Sequence, residues 1–275
     1  MTSTNDFHTF HNVISLGSSC LSALALQRCC LRQFSSPLDW IISSPRIAAH
    51  AIEDNWKTFL DSNMYIDLGT TNPTEPFVGH VEYSTMVKNG KTNVKMFLHR
   101  NPITQDGHEY YERTVSRFQA VCLAPSTSTL FVLVQSSKHR SKHHQWVKQF
   151  HDLFRVLLQT MQGRFELLVI RLQKATSKTD NMSLTEETST LSPSAPFSTE
   201  MELKKSTDGK GSLLRVVYLI KSSAAGMEDN ENLDRIISVV KHERKFEMKL
   251  MSSDEEHEEL DKRPAPKCGE SKKHT

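Results

Sequence analysis

Ile14-Ser15-Leu16-Gly17-Ser18-Ser19-Cys20 is the stretch from which the fold is read. An apolar run from Val13 to Leu16 stops at a glycine and two serines, and Cys20 then opens a segment with Leu21, Leu24, Leu26 and Leu31 at helical spacing. This pattern predicts a strand, a tight turn and a helix with a thiol in its first turn. Unsatisfied N–H groups and the positive end of the macrodipole favour thiolate over thiol there, so Cys20 is a candidate nucleophile.

The rhythm continues outward from that unit. Pro45, with Ser43 or Ser44 as cap, starts a helical pattern through Ile47, Ile52, Trp56, Phe59 and Leu60, and residues 61–76 read as a loop. Phe77 to Val87 and Lys91 to Leu98 alternate around Lys88-Asn89-Gly90, which predicts a β-hairpin that delivers His99 at its end. Glu109 to Leu123 reads as a helix with Tyr110, Val115, Phe118 and Val121 inward and Arg113 and Arg117 one turn apart. Leu130 to Val134 and Phe165 to Leu172 are buried strands flanking a helix from Ser141 to Met161; Leu213 to Ile220, Asn230 to Val240 and Phe246 to Met251 give strand, helix and strand.

Continuously apolar strands alternating with helices predict an α/β fold: a mostly parallel, doubly wound, three-layer sheet with an inserted β-hairpin. Its single domain spans residues 12–251 and is interrupted by a flexible Ser/Thr-rich insertion at 175–212. Residues 1–11 and the charged tail 252–275 read as disordered. Sites in such sheets form outside the carboxyl ends of the strands, where the Gly17–Cys20 turn falls.

Bulk properties narrow the function. With 34 basic and 32 acidic residues the formal charge is +2, which gives no electrostatic case for nucleic acid. No apolar run reaches membrane-spanning length and the polar start carries no hydrophobic signal core, so a cytoplasmic location is the default. Five scattered cysteines without a C-x-x-C pair indicate reduced thiols. His143, His144 and His151 have helical spacing, but no carboxylate or cysteine completes a metal set, and no cofactor is expected.

Four segments together carry a family resemblance: Ser15-Leu16-Gly17-Ser18-Ser19-Cys20, Ser36-Pro37-Leu38-Asp39-Trp40, Phe97-Leu98-His99, and the helix from Tyr111 to Phe118 with its arginines. Over about residues 12–172 the chain resembles the domain family described as "putative papain-like cysteine peptidase", a domain of unknown function. Two positions depart from the family's usual pattern: Leu38 stands where phenylalanine is usual, and Arg100 where an acidic residue is common.

The resemblance implies a thiol hydrolase acting on a peptide, amide or other acyl bond. Cys20 would attack, His99 would act as base and then acid, and backbone N–H groups across Gly17, Ser18 and Ser19 to Leu21 would hold the oxyanion. Asp39 would orient the imidazole, with Asn101 and Asp106 as alternatives; equally, Asp39 would cap the helix at Pro45 or pair with Arg113 or Arg117. Those arginines are scaffold or hold an anionic part of a peptide or small-molecule substrate. A different function also fits the turn: a catalytically silent α/β domain that binds a small anionic or nucleotide-like ligand at Gly17–Cys20.

Overall fold

A computed structural model describes residues 10–69, 77–87, 94–136, 143–174, 198–205 and 212–221, together with Leu233, Ile236, Ile237 and Val240. The predicted opening unit is present: β1 (Asn12–Ser15) leads through the Gly17–Ser19 turn into α1 (Cys20–Arg28). Ser44 caps α2 (Pro45–Glu53) through its side chain, which accepts from the Ile47 N–H, and Pro45 takes the first turn. Asn55 and Trp56 then adopt left-handed backbone, so the helical pattern expected to run on to Leu60 breaks before a short α3 (Lys57–Leu60).

The loop predicted for 61–76 contains β2 (Tyr65–Asp67), which pairs antiparallel with β3 (Val78–His80). The inserted hairpin is corrected. Its first arm turns helical at α4 (Val81–Val87), because the His80 ring accepts from the Tyr83 N–H and Ser84 Oγ accepts from the His80 N–H. The antiparallel bridge between Val78 and Phe97 remains, and the Asn89-Gly90 turn lies outside the described residues.

Beyond it run α5 (Gln105–Cys122), β4 (Ser128–Ser136), α6 (His143–Thr160) and β5 (Arg164–Lys174). β6 (Ser198–Lys205) lies within the segment read as a flexible insertion, and β7 (Leu213–Lys221) follows. Beside β7 the backbone of 198–205 finds a partner strand, which composition alone did not foretell. The rest of that insertion, the predicted strand at 246–251 and both termini lie outside the described residues.

The main sheet has the order β1-β4-β5-β7-β6, parallel except for the β6 edge. The four parallel strands follow chain order, with β1 at one edge and β6, which precedes β7 in sequence, at the other. The described residues contain no barrel.

Strand side chains alternate between two cores. Ile14, Phe131, Leu133, Phe165, Leu167 and Val169 face α2, α5 and α6, while Val13, Leu130, Val132, Leu168 and Ile170 pack with α1, Leu233, Ile236 and Val240. The larger core holds a chain of ring contacts through Trp56, Phe59, Phe97, Tyr111, Phe118 and Phe131. Such edge-on and tilted aromatic packing adds to area burial and holds Phe97 in the stretch that ends in His99.

Candidate active site

Gly17 and Ser18 turn sharply at the carboxyl end of β1, with φ of 75° and 81°. A Cβ on Gly17 would lie 2.5 Å from the Leu38 carbonyl and 2.9 Å from the Leu38 Cβ, so only glycine lets the two segments approach this closely. The Ser18 N–H donates to Ser43 Oγ at 2.9 Å, and the Ser43 N–H returns a bond to the Ser18 carbonyl. Ser19 caps α1 by accepting from the Leu21 N–H, which makes half-buried Cys20 the first helical residue.

Ser22, one turn-face further on and fully buried, donates to the Gly17 carbonyl and accepts from the Val134 N–H, both at 2.8 Å. The start of α1 is thereby tied to the turn and to β4. The segment 36–43 crosses beside it. Ser36 Oγ donates to the Ser15 carbonyl, and the Ile42 N–H donates to the Met96 carbonyl at 2.8 Å. Ile41 bridges Phe97, and the Trp40 ring meets the His99 ring. The turn, the segment from Ser36 to Ser43 and the stretch bearing His99 are therefore stitched side by side, with the Trp40 segment in the middle.

Asp39 is buried and its partner is Arg32, not either arginine of α5. The guanidinium Nε donates to Oδ2 at 3.0 Å, the Ser36 N–H donates to the same oxygen at 2.9 Å, and Arg32 also donates to Ser35 Oγ at 2.6 Å. Oδ1 is buried with no partner of hydrogen-bond geometry. Desolvation pushes the carboxyl from its usual 3.8 up to about 6, against the pull of Arg32, the Ser36 N–H and the Ser15 hydroxyl. Arg32 also lies over the Trp40 ring, 5.5 Å from its centroid. Arg32 and Trp40 thus stand between Asp39 and the His99 ring, an arrangement that spacing does not reveal because Arg32 falls in the irregular stretch after α1.

Arg100, the residue after His99, stacks its guanidinium 4.0 Å over the Tyr110 ring. Burial pushes the Tyr110 hydroxyl up. Asn101 instead serves the next helix: its side chain accepts from the Ile103 N–H and its carbonyl accepts from Thr104, the N-cap of α5. Asp106 sits in the first turn of α5. Arg113 and Arg117 stand on the exposed face of α5, where they line a shallow open groove with Glu109, Glu112 and Ser116, and Arg113 pairs with Glu109 at 3.8 Å.

The cysteines differ sharply. Cys122 is buried and desolvation pushes its thiol up to about 12; Cys29 is buried too, and Cys30 is exposed at the end of α1. Among the described cysteines, Cys20 alone combines partial exposure with a helix start at a strand's carboxyl end. Residues overlooked in the sequence include Ser22, Arg32 and His80. His80 is buried between the Thr58 carbonyl and the Tyr83 N–H and stacked on the Tyr83 ring, with centroids 4.2 Å apart. Its adjacent Tyr and Ser at helical spacing were the available signal.

Among the described residues no cluster of three metal-ligating side chains occurs, and no helix is long and apolar enough to cross a membrane. No curated protein and no solved structure matches the chain. The sequence model of the family described as "putative papain-like cysteine peptidase", a domain of unknown function, matches residues 11–175, more than half of the chain and all of the turn, the Trp40 segment and the His99 stretch; the protein belongs to that family.

Proposed function

We propose that the protein is a thiol-dependent hydrolase of a peptide, amide or other acyl bond, with Cys20 as nucleophile and His99 as base. The observation that carries this reading is the placement of partly exposed Cys20 at the first position of α1, beside a segment that also holds His99 through Trp40. The helix start favours the thiolate, and attack on an acyl carbon would give a thioester that water then hydrolyses. His99 would take the thiol proton and return it to the leaving group.

The Leu21 N–H is engaged by the Ser19 side chain, the Ser18 N–H by Ser43 and the Gly17 N–H by Ser15, so these three amides are held within the turn and do not serve as oxyanion donors in this reading. Asp39 acts as a positioning residue through Arg32 and Trp40. Arg113 and Arg117 have no described contact with the turn and take no part in the reaction as proposed. A cytoplasmic setting suits reduced thiols.

Competitive alkylation with iodoacetamide across pH 5–9 tests the reading. Cys20 is expected to react at least tenfold faster than Cys122, with an apparent pKa below that of an ordinary thiol, and His99→Ala is expected to shift that profile upward. Equal rates for the two thiols, or a profile indifferent to His99→Ala, would overturn the hydrolase reading and leave the turn as a ligand-binding element.

A further inference from the structure

The contacts around His99 close into a ring. The His99 and Trp40 rings meet edge-on, and Arg32 lies over the Trp40 indole. Arg32 Nη2 donates to Ser35 Oγ at 2.6 Å, and the Ser35 and Tyr110 hydroxyls share a hydrogen bond. The Tyr110 ring in turn carries the Arg100 guanidinium on its face at 4.0 Å, and Arg100 follows His99 directly in the chain. The circuit thus returns to the imidazole through a peptide bond.

Tyr110 is the member of this ring that joins it to α5. It is buried, and its neighbour Tyr111 meets the Phe97 ring edge-on with centroids 5.3 Å apart. Consecutive tyrosines of one helix therefore grip the chain on both sides of His99, Tyr111 at Phe97 and Tyr110 at Arg100. The ring face of Tyr110 and its hydroxyl have separate tasks. A planar guanidinium stacks on a partly desolvated aromatic face without needing the hydroxyl. The hydroxyl reaches Ser35, and through it the guanidinium that holds Asp39, which a phenylalanine here would leave unconnected.

We propose that Tyr110 is a positioning residue for His99: with Arg100 on its ring face and Ser35 on its hydroxyl, it fixes the imidazole against Trp40. That the imidazole so placed serves Cys20 as base rests on the hydrolase reading; the placement itself does not. A base acts only within hydrogen-bond reach of the proton it takes, and a misplacement of about 1 Å costs on the order of 10²-fold in rate. Opening the ring at Tyr110 releases Arg100 and loosens the backbone that aims the imidazole.

The test is a double-mutant cycle on the full-length chain, read as the rate of Cys20 alkylation by iodoacetamide at pH 7. Tyr110→Phe keeps the ring and loses the bond to Ser35; Arg100→Met loses the cation. Each is expected to slow the reaction about threefold or more when His99 is present and to change nothing in the His99→Ala background, the pattern of residues that act through one another. Arg100→Lys is expected to recover part of the rate lost in Arg100→Met. Equal slowing in both backgrounds marks a purely structural role and overturns the proposal, as does an unchanged rate in either variant while His99→Ala slows the reaction. If His99→Ala itself leaves the rate unchanged, the hydrolase reading fails separately, and the nuclear Overhauser contact between the His99 and Trp40 rings decides the placement. Its loss in both Tyr110→Phe and Arg100→Met supports the proposal, and its persistence in either overturns it. Should Tyr110→Phe not fold, Arg100→Met, on the half-buried side of the ring, decides both readouts.

Discussion

The Trp40 ring meets the His99 imidazole edge-on, with centroids 5.5 Å apart and planes at 81°. Arg32 lies over the same indole, so one side chain of low exposure touches both the ion pair and the imidazole. Trp40→Ala removes this wall and leaves a cavity, with an expected loss of about 3–5 kcal/mol of stability. Trp40→Phe keeps an aromatic edge and is expected to cost less than about 2 kcal/mol while slowing Cys20 alkylation by less than Trp40→Ala does. Denaturant midpoints and alkylation rates of the two variants check this, and equal rates would remove Trp40 from any role in placing His99.

Asp39 sets a pH dependence with a definite sign. Its carboxyl is raised in the folded state, from 3.8 to about 6, so the folded chain favours the protonated form. The stability this confers is complete below about pH 3.8 and is lost as the pH rises through about 6. A shift of that size corresponds to about 3 kcal/mol. Asp39→Asn, with its oxygen placed where Oδ2 accepts from Arg32 and Ser36, is expected to abolish the fall between pH 4 and 7. Urea midpoints measured across that range for parent and variant give the answer.

His80 contributes with the opposite sign. Its Nδ1 accepts from the Tyr83 N–H, so the proton sits on Nε2, which donates to the Thr58 carbonyl at 3.1 Å. Burial lowers its pKa, and the stability held by the neutral ring is present above about pH 6.5 and lost as the pH falls through the lowered value. Nitrogen-detected imidazole spectra are expected to show His80 less than half protonated at pH 6.5, with its neutral form protonated on Nε2. A half-protonated ring at that pH would contradict the geometry.

Two glycines hold the approaches to the site. Gly17→Ala forces a Cβ against the Leu38 carbonyl at a φ of 75°, and the expected cost is about 2 kcal/mol or more. Gly107 lies in the first turn of α5 with the Asn101 carbonyl pressed against its Cα, leaving no room for a Cβ. Gly107→Ala is expected to displace the loop from His99 to Thr104, lowering both thermal stability and the His99 dependence of Cys20 alkylation. Calorimetry and the alkylation profile separate the two effects.

Much of this architecture was legible in the sequence because burial on both faces writes itself as unbroken apolar runs. Leu130–Val134 and Phe165–Leu172 lie within β4 and β5, and Ser44-Pro45 marks the start of α2. Residues 77–87 misled because Val78, His80 and Tyr83 fit both a strand and a helix, and the choice was made by the His80 ring and the Ser84 hydroxyl, whose backbone bonds no periodicity records. The partner of Asp39 was missed for a related reason. Arg32 lies in an irregular segment, and only the fold of 32–39 around the carboxylate brings the two together. The strand order was hidden as well, since the long excursion from α2 to α5 separates β1 from β4 in sequence but not in space.

Helix first turns ordinarily fray, because their amides lack partners within the helix. Ser22 changes that at α1, since its hydroxyl joins the Gly17 carbonyl to the Val134 amide in the interior of the sheet. Releasing the segment that carries Cys20 therefore also breaks both bonds of this buried hydroxyl, at a cost of about 1–3 kcal/mol beyond ordinary fraying. The Val134 amide is accordingly expected to exchange its proton with solvent faster in Ser22→Ala than in the parent chain, because that amide loses its acceptor.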